Sequence, residues 1–235
     1  MDLEKVVMKD NASAFTAKEY DRKIRLTLPF YDDFYQQVID VANAHFEKKL
    51  NWLDIGCGTG KMAEVALPKL KIEKFAFCDN STQMIKIAQE RFSGKNTEFF
   101  TASIQELGIQ QRFDIITAIQ VFHYFSQEER LATAEKCYQA LEPDGLFISF
   151  ENFAPYTGAG KKLFLKRWRT YQLSQGKSPS ECDKHIQRYG KDYFPISISE
   201  HLNVLRKSGF QAAEVLWVSN MQVGMLGIKQ PYKPK

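Results

Sequence analysis

Three glycines alternate with other residues directly after an acid, in Asp54-Ile55-Gly56-Cys57-Gly58-Thr59-Gly60. The apolar Leu50-Asn51-Trp52-Leu53 precedes them and the helix-forming Lys61-Met62-Ala63-Glu64-Val65-Ala66-Leu67 follows, which predicts a buried strand, a tight turn and a helix. Residues without a Cβ let a ligand lie against main-chain amides at a helix start. Two nucleotide readings fail on spacing. The dinucleotide fingerprint needs Gly-x-Gly-x-x-Gly, but the third glycine comes one residue early and Lys61 stands where a small residue belongs. The phosphate loop needs Ser or Thr where Met62 stands.

A second acid, Asp79, closes the apolar Lys74-Phe75-Ala76-Phe77-Cys78, nineteen residues beyond Gly60. In a parallel sheet that position lies beside the glycine turn, where a carboxylate can accept hydrogen bonds from both hydroxyls of a ribose. The competing role is a helix cap before Ser81-Thr82-Gln83-Met84. A third group follows the apolar Phe113-Asp114-Ile115-Ile116-Thr117-Ala118-Ile119: Gln120, His123 and Tyr124, with Glu151 closing the next strand. His123 is the leading candidate for a general base, because imidazole titrates near operating pH. Tyr124 and Glu151 come next, and the alternative for His123 is a loop histidine bonded to backbone.

These residues need a sheet to hold them. After residues 1–28, with Phe15, Tyr20, Ile24 and Leu28 as apolar anchors of an arm over the ligand side, Pro29 fits the first position of a helix carrying Phe30, Phe34, Val38, Val41 and Phe46. Tyr20, Arg25, Tyr31 and Tyr35 are candidates to close over a ligand, or else edge-of-core residues. A helix bearing Met84, Ile85, Ala88 and Phe92, a strand over 97–102, a capping box at Ser126 and Glu129, a turn at Glu142-Pro143-Asp144-Gly145 and a strand over 146–150 continue the alternation. Five strands alternating with helices predict a doubly wound α/β sheet with its ligand at the strands' carboxyl ends. Residues 155–195 break that rhythm and form a candidate helical lid. Between Lys161 and Phe194 nine Lys or Arg face three acids, either a solvated helix face carrying Phe164, Trp168 and Tyr171 beneath it, or contact with an anionic acceptor. A capped helix over 199–208 leads to strands over 213–219 and 222–228, whose short link at Asn220-Met221 demands an antiparallel pair.

The chain's 235 residues, 44% hydrophobic and 26% charged with net charge +4, fit one α/β domain and demand no nucleic-acid partner. Cys57, Cys78, Cys137 and Cys182 show no paired spacing, so no metal is expected and reduced core thiols are. An acidic start without an apolar signal core, and no run near the roughly 20 apolar residues a span needs, predict a cytoplasmic protein with no membrane partner.

Asp54 to Gly60, Asp79, Phe113 to Ile119, Leu141 to Phe150 and the closing hairpin together resemble the class I S-adenosylmethionine-dependent methyltransferases. The resemblance implies a Rossmann-like seven-stranded sheet in the order 3-2-1-4-5-7-6, mostly parallel with an antiparallel C-terminal hairpin. It divides the chain into an arm (1–48), a cofactor core (49–154), a lid (155–195) and a C-terminal helix and hairpin (196–235). It implies S-adenosylmethionine as cofactor, held by Tyr31, Asp54, Gly56, Cys57, Gly58, Gly60, Asp79, Asn80, Met84, Ser103, Ile104 and Gln120. Acceptor contacts would come from Tyr20, Arg25, Trp168 and Arg188. A narrower similarity extends to the tRNA wobble-uridine carboxymethyl-transferring enzymes, where Arg188 matches a carboxylate-binding arginine but Ile119 stands in place of an asparagine. Ordinary methyl transfer to a small molecule is therefore expected, in a monomer or homodimer. The alternatives are tRNA modification through the basic 161–194 segment, a cofactor-binding subunit without turnover, and a dehydrogenase, which the glycine spacing disfavours.

Overall fold

The computed structural model describes residues 10–94 and 96–230. Residues 1–9, on which the expectation of no leader rests, lie outside the described residues, as do 231–235. Seven strands, β1 (Leu50–Ile55), β2 (Ile72–Asp79), β3 (Thr97–Thr101), β4 (Phe113–Ile119), β5 (Leu141–Asn152), β6 (Ala212–Ser219) and β7 (Gln222–Ile228), form one sheet in the order β3-β2-β1-β4-β5-β7-β6. The first five pair parallel, and β7 runs antiparallel to both β5 and β6. The chain leaves β1 toward β2 and β3, then returns to place β4 on its other side. That reversal opens a crevice above the carboxyl ends of β1, β2 and β4. Ile55 sits level with Cys78 and with Ala118, so the glycine turn, Asp79 and Gln120 all reach one edge.

The central strands β1 and β4 are buried on both faces because helices cover both. On one side α2 (Tyr31–His45) lays Phe34 on Phe150 with ring centroids 4.9 Å apart, and Trp52, Phe75 and Phe77 form a fully buried row beside it. On the other, α5 (Gln127–Ala140) and α8 (Ile198–Lys207) bury Ala134, Cys137 and Leu205 against Leu53, Ile116 and Phe147. Each fully buried aromatic contributes roughly 1.5–3 kcal/mol through the area it removes from water. All four cysteines are buried and unpaired.

Several local features depart from the pattern read along the chain. A short helix, α1 (Tyr20–Arg25), stands within the arm, and α2 begins after Phe30, whose φ of 57° makes it a left-handed cap. Pro29 thus precedes the helix instead of opening it. Between β3 and β4 there is no helix, only turns, so the strict alternation fails there. The segment 142–145 does not end at a turn before β5 but belongs to the strand: Asp144 donates to Lys229 O at 2.7 Å and Lys229 to Gly145 O at 2.9 Å, extending the pairing with the C-terminal strand. The lid consists of two helices, α6 (Gly158–Ser174) and α7 (Pro179–Gln187). The second has a sequence signal that could have found it: Ser178 and Glu181 form a capping box with proline at the first helical position.

Candidate functional site

The glycine turn joins β1 to α3 (Lys61–Ala66) with Gly56, Gly58 and Gly60 all left-handed, at φ of 61°, 54° and 86°. A Cβ on Gly56 would stand 2.4 Å from Val121, so the turn can be built there only without a side chain. At Gly58 an added Cβ would approach nothing nearer than Met84 Sδ at 4.0 Å, so the space beside it is an open cradle. Asp79, at the end of β2, accepts from Gly58 N and Ser81 N, each at 2.9 Å, which fixes its carboxylate beside that cradle. The cap of α4 (Thr82–Phe92) is Ser81, whose Oγ accepts from Met84 N. Asp79 is therefore not used as a helix cap, and each oxygen has lone pairs to spare. Burial raises its pKa, while the two amides oppose the rise.

Asp54, at the end of β1, is 3% exposed and accepts from Thr117 Oγ1 at 2.7 Å, and Thr117 in turn accepts from the Trp52 indole at 2.9 Å. Burial pushes its pKa up to about 7, the nearby Asp79 adds to the rise and the Thr117 hydroxyl opposes it. The arm closes over this edge. Asp21 of α1 accepts from Thr59 Oγ1 at 2.6 Å, and Asp10 accepts from Ser81 Oγ at 2.7 Å.

A cavity of about 140 Å³ lies on the edge so formed, and Tyr20, Gly56, Gly58, Asp79, Asn80, Met84, Ser103, Ile104, Gln120 and Tyr124 all line it. Beneath the turn a smaller crevice brings in Tyr31, Asp54 and Cys57. Asn11, Ser13 and Val121 also line the larger cavity. The first two are polar arm residues without any spacing signal, and Val121 lies one residue past the predicted Gln120.

A second cavity, about 60 Å³, adjoins the first along Ser13, Tyr20, Gln120 and Tyr124 and is walled by His123, Asn152, His185, Arg188 and Tyr193. His123 belongs to a single 3-10 turn, Phe122–Tyr124, directly after Gln120. Its Nδ1 and its backbone N both lie on Glu151 Oε2, at 2.9 and 3.0 Å, and Glu151 is fully buried. A carboxylate on Nδ1 selects the tautomer that leaves Nε2 as the lone-pair nitrogen. Glu151 itself lines neither cavity and touches His123.

Three further sequence candidates lie outside the cavities. Trp168 is fully buried and its indole donates to Thr27 O at 2.6 Å, so it binds lid to arm and faces no cavity. Arg25 makes two hydrogen bonds to Asp32, at 3.0 and 2.8 Å, outside both cavities. Gly60 caps α3 and supplies backbone shape only. Of the basic segment, Arg169 pairs with Asp183, Lys177 bonds to Thr27 and Gln172, and Arg188 to Asp192 and Ala12 O, so part of its charge is used within the fold.

Comparison with known proteins agrees with this geometry. Residues 53–145 match the family described as "Methyltransferase domain". The strand order and the match to solved structures show the fold of S-adenosylmethionine-dependent methyltransferases. Over its length it is 23% identical to a carboxy-S-adenosyl-L-methionine synthase of Staphylococcus epidermidis, covering 91% of this chain and 94% of that one. A malonyl-[acyl-carrier protein] O-methyltransferase of Acetivibrio thermocellus is 28% identical over 51% of this chain and 41% of its own. The structure of an S-adenosylmethionine-dependent methyltransferase from Clostridium acetobutylicum superposes with a TM-score of 0.64 at 17% identity, covering 92% of this chain and 98% of that one. Among the described residues no helix is long and apolar enough to cross a membrane.

Proposed function

We propose that this chain transfers the methyl group of S-adenosylmethionine to a small-molecule acceptor held in the second cavity. The observation that carries the reading is the meeting of the two cavities along Tyr20, Gln120 and Tyr124, which would let a donor in one reach an acceptor in the other. The cofactor supplies an electrophilic methyl carbon on a sulfonium, and the residues fit it. Asp79 has free lone pairs for a ribose diol, Met84 and Ile104 offer apolar walls to an adenine, and Tyr31 and Asp54 border the crevice suited to an amino-acid end.

The protein's main contribution is to hold donor and acceptor in line and to exclude water. Held by Asp79, Met84 and Ile104 in the first cavity, the cofactor would supply its methyl group to a hydroxyl acceptor in the second. The hydroxyl proton goes to His123 Nε2, and the buried Glu151 stabilises the imidazolium that results. Tyr20 and Tyr124, at the junction, orient the acceptor.

A second reading, chemistry on the cofactor itself, is favoured by the alignment with a carboxy-S-adenosyl-L-methionine synthase over 91% of this chain. One experiment separates the two. The protein is incubated with S-adenosylmethionine and a metabolite panel that includes α-keto acids, and the nucleoside products are weighed by mass spectrometry. S-adenosylhomocysteine together with a methylated acceptor supports methyl transfer. A sulfonium nucleoside heavier by one carboxyl group overturns it in favour of the second reading, and no binding of S-adenosylmethionine overturns both.

A further inference from the structure

His123 sits on a single 3-10 turn, and so short an element keeps its shape through bonds from outside it. One set comes from Glu151, on the Nδ1 and the backbone N of His123. A second set comes from two residues in other parts of the chain. Phe194 N donates to the His123 carbonyl at 2.7 Å. Arg130 of α5 donates from Nε to the Phe122 carbonyl at 2.9 Å and from Nη2 to the Phe194 carbonyl. One side chain thereby ties the turn to the segment after α7. Directly before Phe194 stands Tyr193, whose ring lies 5.4 Å from the His123 ring at 76°, and both residues wall the second cavity.

A guanidinium is a costly choice for this place. Arg130 is only 2% exposed, and the oxygens it bonds are neutral carbonyls. Burial lowers its pKa, while Glu151, Glu200 and Glu129 oppose that from longer range. Taking a charge out of water without a bonded counter-ion is unfavourable, and leucine or methionine would fill much of the same space on α5 without that cost. What neither could do is bond two carbonyls at once with a planar fork.

Taking His123 as the proton acceptor proposed above, we propose that Arg130 is a positioning residue for methyl transfer. Its fork makes the turn and Phe194 one unit, so that the His123 imidazole is held between Glu151 and the Tyr193 ring with its unbonded nitrogen toward the second cavity. Arg130 lines neither cavity, so it does this without touching donor or acceptor. A reacting group displaced by about 1 Å can lose about 10²-fold in rate, which sets the scale of the effect.

The test compares the wild-type full chain with Arg130→Met, which keeps the bulk and loses both donors, and with Arg130→Lys, which keeps the charge but can reach only one carbonyl. Each protein carries isotope-labelled histidine and is saturated with S-adenosylhomocysteine, and the ring nitrogens of His123 are read by NMR at about pH 8. That readout needs no acceptor. The wild type is expected to show a single set of signals with the proton on Nδ1, and Arg130→Met a ring that averages between tautomers. On the acceptor returned by the metabolite panel, kcat per folded molecule should fall about tenfold to hundredfold in Arg130→Met. KM for the acceptor and affinity for S-adenosylmethionine should change less than about twofold. Arg130→Lys should recover about threefold or more of the loss. Should Arg130→Met not fold, Arg130→Lys carries the test alone, with altered His123 signals and a loss of about threefold in kcat as the expected result. Wild-type His123 signals in the folded variants, or a fall in kcat matched by an equal weakening of S-adenosylmethionine binding, would overturn the proposal. Wild-type turnover in His123→Gln would instead remove His123 as proton acceptor, and the NMR signals would still report whether Arg130 holds the ring.

Discussion

Asp54→Asn exchanges a buried acid for a neutral group of the same shape at the end of β1. In the folded chain burial, with Asp79 adding and Thr117 opposing, pushes this carboxyl from 3.8 up to about 7. Between those values the unfolded chain has released a proton that the native chain keeps. The contribution to stability is therefore fully present below about pH 4 and is lost as pH rises toward 7, after which both states are ionised and it stays lost. Three pKa units at about 1.4 kcal/mol each give a loss of about 4 kcal/mol across that window. Asparagine keeps an oxygen to accept from Thr117 Oγ1 and has no charge to bury. Urea unfolding of the cofactor-free protein from pH 4.5 to 8 checks this. The wild-type midpoint should fall with pH relative to that of the variant, and the variant should be the more stable at pH 8. Parallel pH profiles for the two proteins would refute the reasoning, because the slope would then belong to other groups. Binding should move the opposite way, since a cationic ammonium in the crevice beside Asp54 favours the ionised acid.

Asp79→Ala should weaken S-adenosylmethionine binding by at least about 1 kcal/mol through lost charge-assisted hydrogen bonds, and calorimetric titration giving the wild-type affinity would mean the ribose is held elsewhere. His123→Gln and Glu151→Gln should each lower turnover by about 10²–10⁴ while cofactor affinity is kept; a variant that keeps wild-type turnover would exclude the pair as proton acceptor. Gly56→Ala places a methyl 2.4 Å from Val121 on a left-handed backbone. It should cost about 1–3 kcal/mol of thermal stability and much of the cofactor affinity, and a melting curve matching the wild type would show that the turn yields.

The grouping of these residues at one sheet edge was legible in the sequence because they stand in short contiguous runs. A glycine turn, an acid closing the next strand and a polar loop after the fourth each sit where a parallel sheet brings strand ends together, and the register of Ile55 with Cys78 and Ala118 does so. The second cavity was less legible, since its walls come from the arm, the fourth strand's loop and the lid. Nothing local marks His185 or Tyr193 as residues of that cavity, and their placement follows from tertiary packing of α7 and of the segment after it. Trp168 illustrates the same limit. Its spacing with Phe164 and Tyr171 defines an apolar face, but what that face meets is the Thr27 carbonyl 141 residues earlier. The extension of β5 through Asp144 likewise depends on Lys229, near the other end of the chain. Arg25 was read as a ligand-closing side chain, and its actual partner, Asp32, lies on the next helix.

The bond from the Trp168 indole to Thr27 couples two coverings that lie 141 residues apart in the sequence. Parting them would strand a dry indole N–H and a dry carbonyl together, a worse outcome than moving both as one flap. The arm and the lid should therefore loosen together when that bond is removed.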